Sequence, residues 1–580
     1  MYVLENPVLQ RELLVNLRMT RAFMLLLLYQ ALLAAVVYFA WPTETRLAAN
    51  SETARGLVNM FFLGQYILAS LMAPSFAAAS ITGEKERKTY EMLLATPLKP
   101  AAITLGKLLS SLLPLALLAI GSLPIVMLCL PLGGVSFYEV LAAYLGLLVS
   151  IITFGMISVA CSSYFSRTSA ALVASYLLIL PIAIAAILVW VSLEGQGQNR
   201  LVLTLTVLPA IAATICVALF LNTSSRLLHP PDVGSEGKEV VDLEQEAEEA
   251  VGLVIQRDQF PDKLFAPPKR DDLMEDGTNP VYDKEIHSEI FSQGTLMLRL
   301  VIQISMFLAI PIMAFCLFIW EQNAPWYIAY VVVFNMLVGP VFSAGSMTSE
   351  RERQTLDLLL TTTITPWQIL WGKLIAGLRV SSVLTLFLVW PVILAVAMVT
   401  YYWHNLFAVL AYGLIILSAC LTTAIVALFC SVAFQKTTTS LMTTYTIIMV
   451  LFCAPLAVTV FAKTFMIDPI QAENDNSTRT QIISSIHGFG VVSPFAAAFS
   501  VPLTEDELTS GQGPGGFNDR YFPDNWLMPF AYVCVSLGLN AKLFGIMIFM
   551  LNTRWRVSQS SGGNAPPQVE QVAEVATVVQ

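Results

Sequence analysis

The sequence predicts an all-α membrane protein of about twelve transmembrane helices, built as an internal duplication of a six-span unit. Three observations predict it. Of the 580 residues, 56% are hydrophobic and 12% charged, against roughly 25% charged in a soluble domain. The mean hydropathy is +0.70, and uncharged apolar runs of about 20 residues, the length that crosses a bilayer, recur along the chain. Finally, residues 81–107 (ITGEKERKTYEMLLATPLKPAAITLGK) and 347–373 (MTSERERQTLDLLLTTTITPWQILWGK) align without a gap at a spacing of 266 residues. An internal repeat fixes architecture before any single element does.

The repeat is specific. Thr82, Glu84, Glu86, Arg87, Thr89, Leu93, Leu94, Pro100, Gly106 and Lys107 meet Thr348, Glu350, Glu352, Arg353, Thr355, Leu359, Leu360, Pro366, Gly372 and Lys373. Pro74 and Pro340 keep the same spacing in the preceding apolar run. Further upstream, NPVLQRE (Asn6, Pro7 to Glu12) answers NPVYDKE (Asn279, Pro280 to Glu285) at a spacing of 273 residues.

In chain order, apolar runs place spans near 23–41, 57–80, 108–131, 140–163, 170–192 and 201–223. The second half repeats them near 297–320, 326–346, 374–400, 405–433, 439–463 and 527–551. Prolines inside several runs (Pro114, Pro124, Pro181, Pro311, Pro391) are compatible with spanning helices, whose neighbours satisfy the freed carbonyls. The first half is 1–225, an acidic linker covers 226–278, the second half is 279–556, and a polar tail covers 557–580. Linker and tail have the composition of disordered segments. The loop 464–526 is the only long one expected outside. Its apolar stretch Val491-Val492-Ser493-Pro494-Phe495 is too short to span, and reads as a re-entrant or surface-lying helix.

Sidedness follows from Lys and Arg. One repeat island holds Lys85, Arg87, Lys88, Lys99 and Lys107, and the other holds Arg351, Arg353 and Lys373. The opposite loops 321–325 and 401–404 hold neither residue type. Both islands, both termini and the linker are therefore expected in the cytoplasm, at an inner membrane. No cleavable signal peptide is expected, because the run 23–41 is long enough to span. The eight cysteines lie in or at the ends of apolar runs and imply no disulfide framework.

The islands carry the information. Residues 84–94 and 350–360 contain neither glycine nor proline and read as a docking or interfacial helix. Pro100 and Pro366 suit a first helical position. Thr365 is a good N-cap, whereas its counterpart Lys99 is not. A loop that merely kept its charge would not retain Thr89/Thr355, the leucine pairs and the Gly-Lys pairs.

A span, an E-R-E-R-x-T-x-E/D-x-L-L-like segment, a T-P turn and a G-K entry to the next span resemble the type-2 permease family of ATP-binding-cassette (ABC) exporters. The NPV…E segments resemble that family's elbow helices (Asn6, Pro7, Glu12; Asn279, Pro280, Glu285), and Ser493-Pro494-Phe495 resembles its exterior re-entrant region. The resemblance implies that the islands are coupling helices seating on cytoplasmic ATPases. Glu84, Glu86, Arg87, Thr89, Leu93 and Leu94, with Glu350, Glu352, Arg353, Thr355, Leu359 and Leu360, are then the coupling residues. The leucines would act as apolar anchors, with Glu84/Arg87 and Glu350/Arg353 as rim charges. Family members usually carry one six-span unit per chain. Here one chain holds the pair, which implies two ATPase subunits per chain, of the same or different type.

No G-x-x-x-x-G-K-[ST] phosphate loop occurs, so ATP is expected to be bound by a partner, with no cofactor in this chain. The four histidines (His229, His287, His404, His487) are scattered, and no metal spacing or serine nucleophile motif is present. The expected partners are the lipid bilayer, the ATPases and a small or hydrophobic substrate, with no nucleic acid. Two other classes stay open: an ion-gradient-driven carrier, which would need ionisable residues at membrane depth, and a non-transporting scaffold. Gln65, Gln303 and Asn335 suit helix–helix hydrogen bonding.

Overall fold

The computed structural model describes residues 7–11, 30–31, 33–34, 51–86, 89–127, 136–165, 168–193, 196–228, 279–286, 295–352, 354–465, 488, 490–503 and 525–562. Among them there is no strand. The first half comprises α1 (Ser51–Ala77), α2 (Ala79–Glu86), α3 (Tyr90–Leu94), α4 (Pro100–Gly121), α5 (Leu123–Met127), α6 (Phe137–Tyr164), α7 (Thr168–Ser192) and α8 (Gly197–Leu228). The second comprises α9 (Pro280–Ile286), α10 (Thr295–Met313), α11 (Ala324–Ala344), α12 (Thr348–Glu352), α13 (Leu356–Thr361), α14 (Pro366–Met398), α15 (Thr400–His404), α16 (Leu406–Ala433), α17 (Thr437–Phe465), α18 (Pro494–Phe499) and α19 (Leu527–Gly562).

Ten helices among the described residues are long and apolar enough to cross a membrane, with Gln303–Ile319 as a shorter apolar segment. That segment follows α10 into a π-helical turn, Ala314–Ile319. These match eleven of the twelve expected spans; the run 23–41 lies largely outside the described residues. Two boundaries differ from expectation. Helix α8 continues past the expected end of its span to Leu228, and α19 runs to Gly562 rather than giving way to a tail at 557. The remaining linker, 229–278, the loop residues 466–487 and 504–524, and the tail 563–580 lie outside the described residues.

The prolines stay inside long helices, including Pro74 in α1, Pro340 in α11, Pro391 in α14 and Pro455 in α17. Each removes one helical donor, and serine or tyrosine hydroxyls bond carbonyls close to two of them. Tyr176 Oη donates to Leu71 O at 2.7 Å, near Pro74, and Tyr445 Oη donates to Leu337 O at 2.6 Å, near Pro340.

Helices α11 and α16 form the buried centre of the second half, while α8 and α19 present mostly apolar side chains outward. Outward leucine, valine and phenylalanine carry no penalty where lipid is the solvent. The halves meet inside one molecule. Helix α1 packs on α17 and α11 packs on α7. The Tyr176 and Tyr445 rings touch across the join, with centroids 5.0 Å apart. Far from the repeat islands, α18 is buried against α11, α16, α17 and α19. Ser493 opens it by accepting from the Ala496 N–H and donating to Phe452 O at 2.6 Å. This short helix is the element expected around Ser493-Pro494-Phe495.

Candidate functional site: the duplicated turns

Each island begins where a spanning helix ends. In the first half, the Ile81 and Thr82 N–H groups both donate to Ser162 Oγ, at 3.0 and 2.9 Å. Lys85 Nζ donates to Ser163 O at 2.7 Å and Phe165 O at 3.0 Å, the open carbonyls at the end of α6. Glu86 accepts from the Thr168 N–H at 2.7 Å, at the start of α7. A cation thus sits on a helix C-terminus and a carboxylate on a helix N-terminus, the pairing each helix dipole favours.

The second half repeats this arrangement and adds one bond, from the Thr437 hydroxyl. Met347 and Thr348 N–H donate to Ser431 Oγ at 2.8 and 3.1 Å. Arg351 donates to Val432 O and Phe434 O at the end of α16. Glu352 accepts from Thr437 N–H at 3.0 Å and from the Thr437 hydroxyl at 2.5 Å, at the start of α17. The spacing is 266 residues within the islands and 269 between Ser162 and Ser431.

A second set of bonds shapes the turn itself. Thr89 N–H donates to Glu84 O at 3.0 Å, and Thr355 N–H donates to Glu350 O at 2.9 Å. Both threonine hydroxyls also bond the carboxylate of the same glutamate. The expectation of one continuous helix over 84–94 and 350–360 is therefore corrected. The α2 and α12 helices stop at Glu86 and Glu352, and new short helices start at Tyr90 and Leu356. Gln354 takes the left-handed conformation at φ 58° that lets the chain turn, an uncommon state for a side chain other than glycine, asparagine or aspartate.

The lysines at the G-K entries complete the brace. Lys107 Nζ lies 3.1 Å from Glu84 Oε1. Lys373, with its side chain 1% exposed, pairs with Glu285, lies 3.6 Å from Glu350, and donates to Ser346 O at 2.9 Å. Lys284 adds a 2.9 Å pair to Glu350. Glu285 and Lys284 belong to α9, the expected elbow helix. Asn279 fastens it by donating to Gln368 O at 2.8 Å and accepting from Val281 N–H at 3.0 Å. A Cβ on Gly372 would stand 3.0 Å from Tyr282 N, so this glycine admits the elbow. In the first elbow, residues 7–11 including Pro7 are helical. Arg11, the counterpart of Lys284, acts electrostatically on Glu84. Asn6 and Glu12 lie outside the described residues.

Glu84 and Glu350, with Thr89 and Thr355, thus brace the turns from inside, while Glu86 and Glu352 are exposed and bond the starts of α7 and α17, so all four glutamates have partners within the chain. The leucines divide. Leu93 and Leu359 are half-buried, Leu94 packs against the small cluster that includes Tyr90 and Ile81, and Leu360 is 3% exposed within the protein's own core. Arg87 and Arg353 lie outside the described residues. The apolar side chains that face outward are Met92, 72% exposed, and Leu358, 68% exposed, again at the 266-residue spacing. Each follows an exposed acid, Glu91 or Asp357. Burial pushes the Tyr90 phenol pKa upward against the opposing pull of Arg226, so the ring that closes the first turn stays neutral. Sequence reading missed Met92/Leu358 because five residues are too few for a helical period to show. It missed Ser162/Ser431 because the repeat was not followed to Cys161-Ser162 and Cys430-Ser431. No group of three or more His, Cys, Asp or Glu that could hold a metal occurs among the described residues.

A duplicated all-α membrane bundle with matching elbows and turns defines a two-half permease. Two models of the ABC-2 family transporter protein match it, one over residues 24–218 and a second over residues 241–552. The chain belongs to the ABC-2 transporter family, with both halves fused in one polypeptide. No curated protein and no solved structure gives a significant match.

Proposed function

We propose that this chain is the membrane subunit of an ATP-driven exporter and that its two turns dock on two separate cytoplasmic ATPase subunits. The observation that carries this reading is the repetition of one exposed apolar side chain, Met92 and Leu358, on identically braced turns. A braced turn loses little conformational freedom on docking, so most of its contact energy remains for affinity. Glu91 and Asp357 favour a basic rim on the partner. The turns, both termini and the linker lie in the cytoplasm, and the membrane is the inner one.

The brace also supplies a route for force. Glu86 and Glu352 bond the first residues of α7 and α17, the helices whose tyrosines meet between the halves. A push on a turn therefore reaches the join through a short chain of bonds. Because both halves already face each other within one chain, one chain with two ATPases is a complete unit.

The test is co-purification of the ATPase with the Met92→Asp/Leu358→Asp double variant. A charge on an apolar docking pocket should abolish capture, while the control Asn525→Asp, exposed, outside the spans and away from the turns, retains it. Wild-type capture by the double variant would remove these side chains from the docking surface. Native mass spectrometry of the assembly should give one chain with two ATPases; two chains would overturn the stoichiometry.

A further inference from the structure

The end of the first half that carries its turn also carries two cations without a counter-charge. Lys107, Lys284 and Lys373 each pair with a carboxylate. Lys85 and Arg226 have no such partner among the described residues. Arg226 acts electrostatically on both Lys85 and Tyr90, so the two cations lie close enough to repel each other. Lys85 spends its three protons on the carbonyls of Ser162, Ser163 and Phe165. Arg226 carries five N–H donors and bonds no acceptor among the described residues, and its Nη1 is buried without a partner. A charged donor left in that state costs more than a neutral one.

Local packing presents that guanidinium at the membrane boundary. Helix α8 runs past the expected end of its span, and its outer face is apolar and exposed at Val217 and Leu221. Arg226 follows Leu221 by about 7.5 Å along the axis. Leu227 anchors this end of the helix, clustering with Ile81, Tyr90 and Val159. The Arg226 guanidinium lies over the Tyr164 ring, 3.7 Å from its centroid. Asn222 Nδ2 donates to Tyr164 Oη at 2.8 Å, which leaves the tyrosine's own proton to give. Tyr164 is exposed and Arg226 half-buried, so an anion has access to both. The second half has no such pair, because at the 269-residue spacing Ser163 and Tyr164 become Val432 and Ala433.

We propose that Arg226 and Tyr164 hold the phosphate of one anionic phospholipid, and that this lipid steadies the first turn and not the second. A guanidinium gives two parallel N–H bonds to two phosphate oxygens, and the Tyr164 hydroxyl gives a third. Lys85 adds charge without a bond, and the phosphate offsets its repulsion from Arg226. Lys85 closes α6 and belongs to the turn, so relief there reaches the bonds from Ile81 and Thr82 to Ser162. Free phosphate shares this chemistry, but the apolar face of α8 leads to the site and gives acyl chains a surface to lie on. Two cations with no carboxylate repel the ammonium of a zwitterionic headgroup. The inference goes beyond the docking reading and does not depend on it.

The experiment uses the full chain in detergent micelles, titrated with dioctanoyl phosphatidylglycerol, dioctanoyl phosphatidylcholine or inorganic phosphate. Native mass spectrometry counts bound lipid, and hydrogen exchange follows Ile81 and Thr82 against Met347 and Thr348. Wild type should bind one phosphatidylglycerol about tenfold more tightly than Arg226→Gln, the loss expected for hydrogen bonds to a charged group. Phosphatidylcholine should not tell the two proteins apart. Tyr164→Ala copies the second half and leaves every charge in place, so it should weaken the lipid even should Arg226→Gln not fold. Phosphatidylglycerol should slow exchange at Ile81 and Thr82 in wild type and leave Met347 and Thr348 unchanged. Wild-type affinity in either variant, or an equal response to phosphatidylcholine, would overturn the site. Slowing by inorganic phosphate as strong as by phosphatidylglycerol would overturn the lipid as its source, and equal slowing at both turns would overturn the one-sidedness. No ATPase takes part, so failure of the docking reading and failure of the lipid site show up separately.

Discussion

The two halves treat the ends that carry the duplicated turns alike and their centres differently. At the ends, the serine that accepts two backbone N–H groups, the cation on a helix C-terminus and the glutamate on a helix N-terminus occur at matched positions. At membrane depth the second half buries Asn335 and Ser343 on α11, Ser381 and Thr385 on α14, and Cys420 and Thr423 on α16. The matched positions of the first half are Ala69, Ala77, Leu115, Ala119, Ile151 and Phe154, all buried as well. Asn335 Nδ2 donates to Thr385 Oγ1 at 3.4 Å, Thr423 Oγ1 donates to Asn335 Oδ1 at 3.1 Å, and Ser381 Oγ lies 3.4 Å from Cys420 Sγ. At these six matched positions one half packs apolar side chains and the other sets a column of neutral hydrogen-bonding groups. The difference teaches that a shared fold constrains the end with the duplicated turns far more tightly than the packing chemistry within the bilayer.

The largest expected effect tests the likeness. Lys107→Met and Lys373→Met each remove a buried cation from a largely buried carboxylate, Glu84 or Glu285, and breaking such a pair costs about 3 kcal/mol. Thermal unfolding in detergent should show both variants strongly and similarly destabilised, and a loss confined to one half would break the equivalence of the braces.

Next comes the contrast at the centre. A Cβ on Gly339 would lie 2.6 Å from Asn335 Oδ1 and 3.0 Å from Thr423 Oγ1. Gly339→Ala should therefore cost about 2 kcal/mol by overpacking. Its counterpart Ala73 faces Ala69 without difficulty, so adding Asn335→Ala should restore most of the melting temperature. Absence of that rescue would mean the column is not what excludes the methyl group. A smaller effect is expected from Ser162→Ala and Ser431→Ala, about 1–2 kcal/mol each for two buried donors losing their acceptor. Hydrogen exchange should rise at Ile81 and Thr82 in one case and at Met347 and Thr348 in the other. The smallest is Thr423→Val, about 0.6 kcal/mol, typical of an interhelical hydrogen bond within a membrane. A melting shift several times larger would make the column a main support of the second half rather than a register device.

Much of this was legible in the chain itself. Spans, the duplication and the elbows follow from composition and from identical residues at constant spacing. The contrast between Thr365 and Lys99 was also readable, and Thr365 does form a capping box with Gln368. Asn335 forms the expected helix–helix bonds, whereas the buried Gln65 amide has no partner among the described residues. The break inside each island was not readable, because Gln354 is a good helix former and the cause of the turn is a tertiary brace from Lys373 and Lys284. Retention of Glu84 and Glu350 was visible, but retention alone does not distinguish an inward partner from an outward one. The joins between the halves pair residues hundreds of positions apart, and no local pattern announces which methionine meets which tyrosine.

Fusion of the halves has a consequence for heredity. In an assembly of two identical chains, every substitution lands on both sides of the axis, and a change that widens one join widens the other. In this chain Met442 on the α1–α17 join and its counterpart Val173 on the α11–α7 join are separate codons. Each join drifts on its own, so one side specialises while its twin keeps the molecule closed. Random mutagenesis under selection for the folded chain should accordingly return single changes at 72, 442, 446 or 449 of the α1–α17 join, with their counterparts untouched.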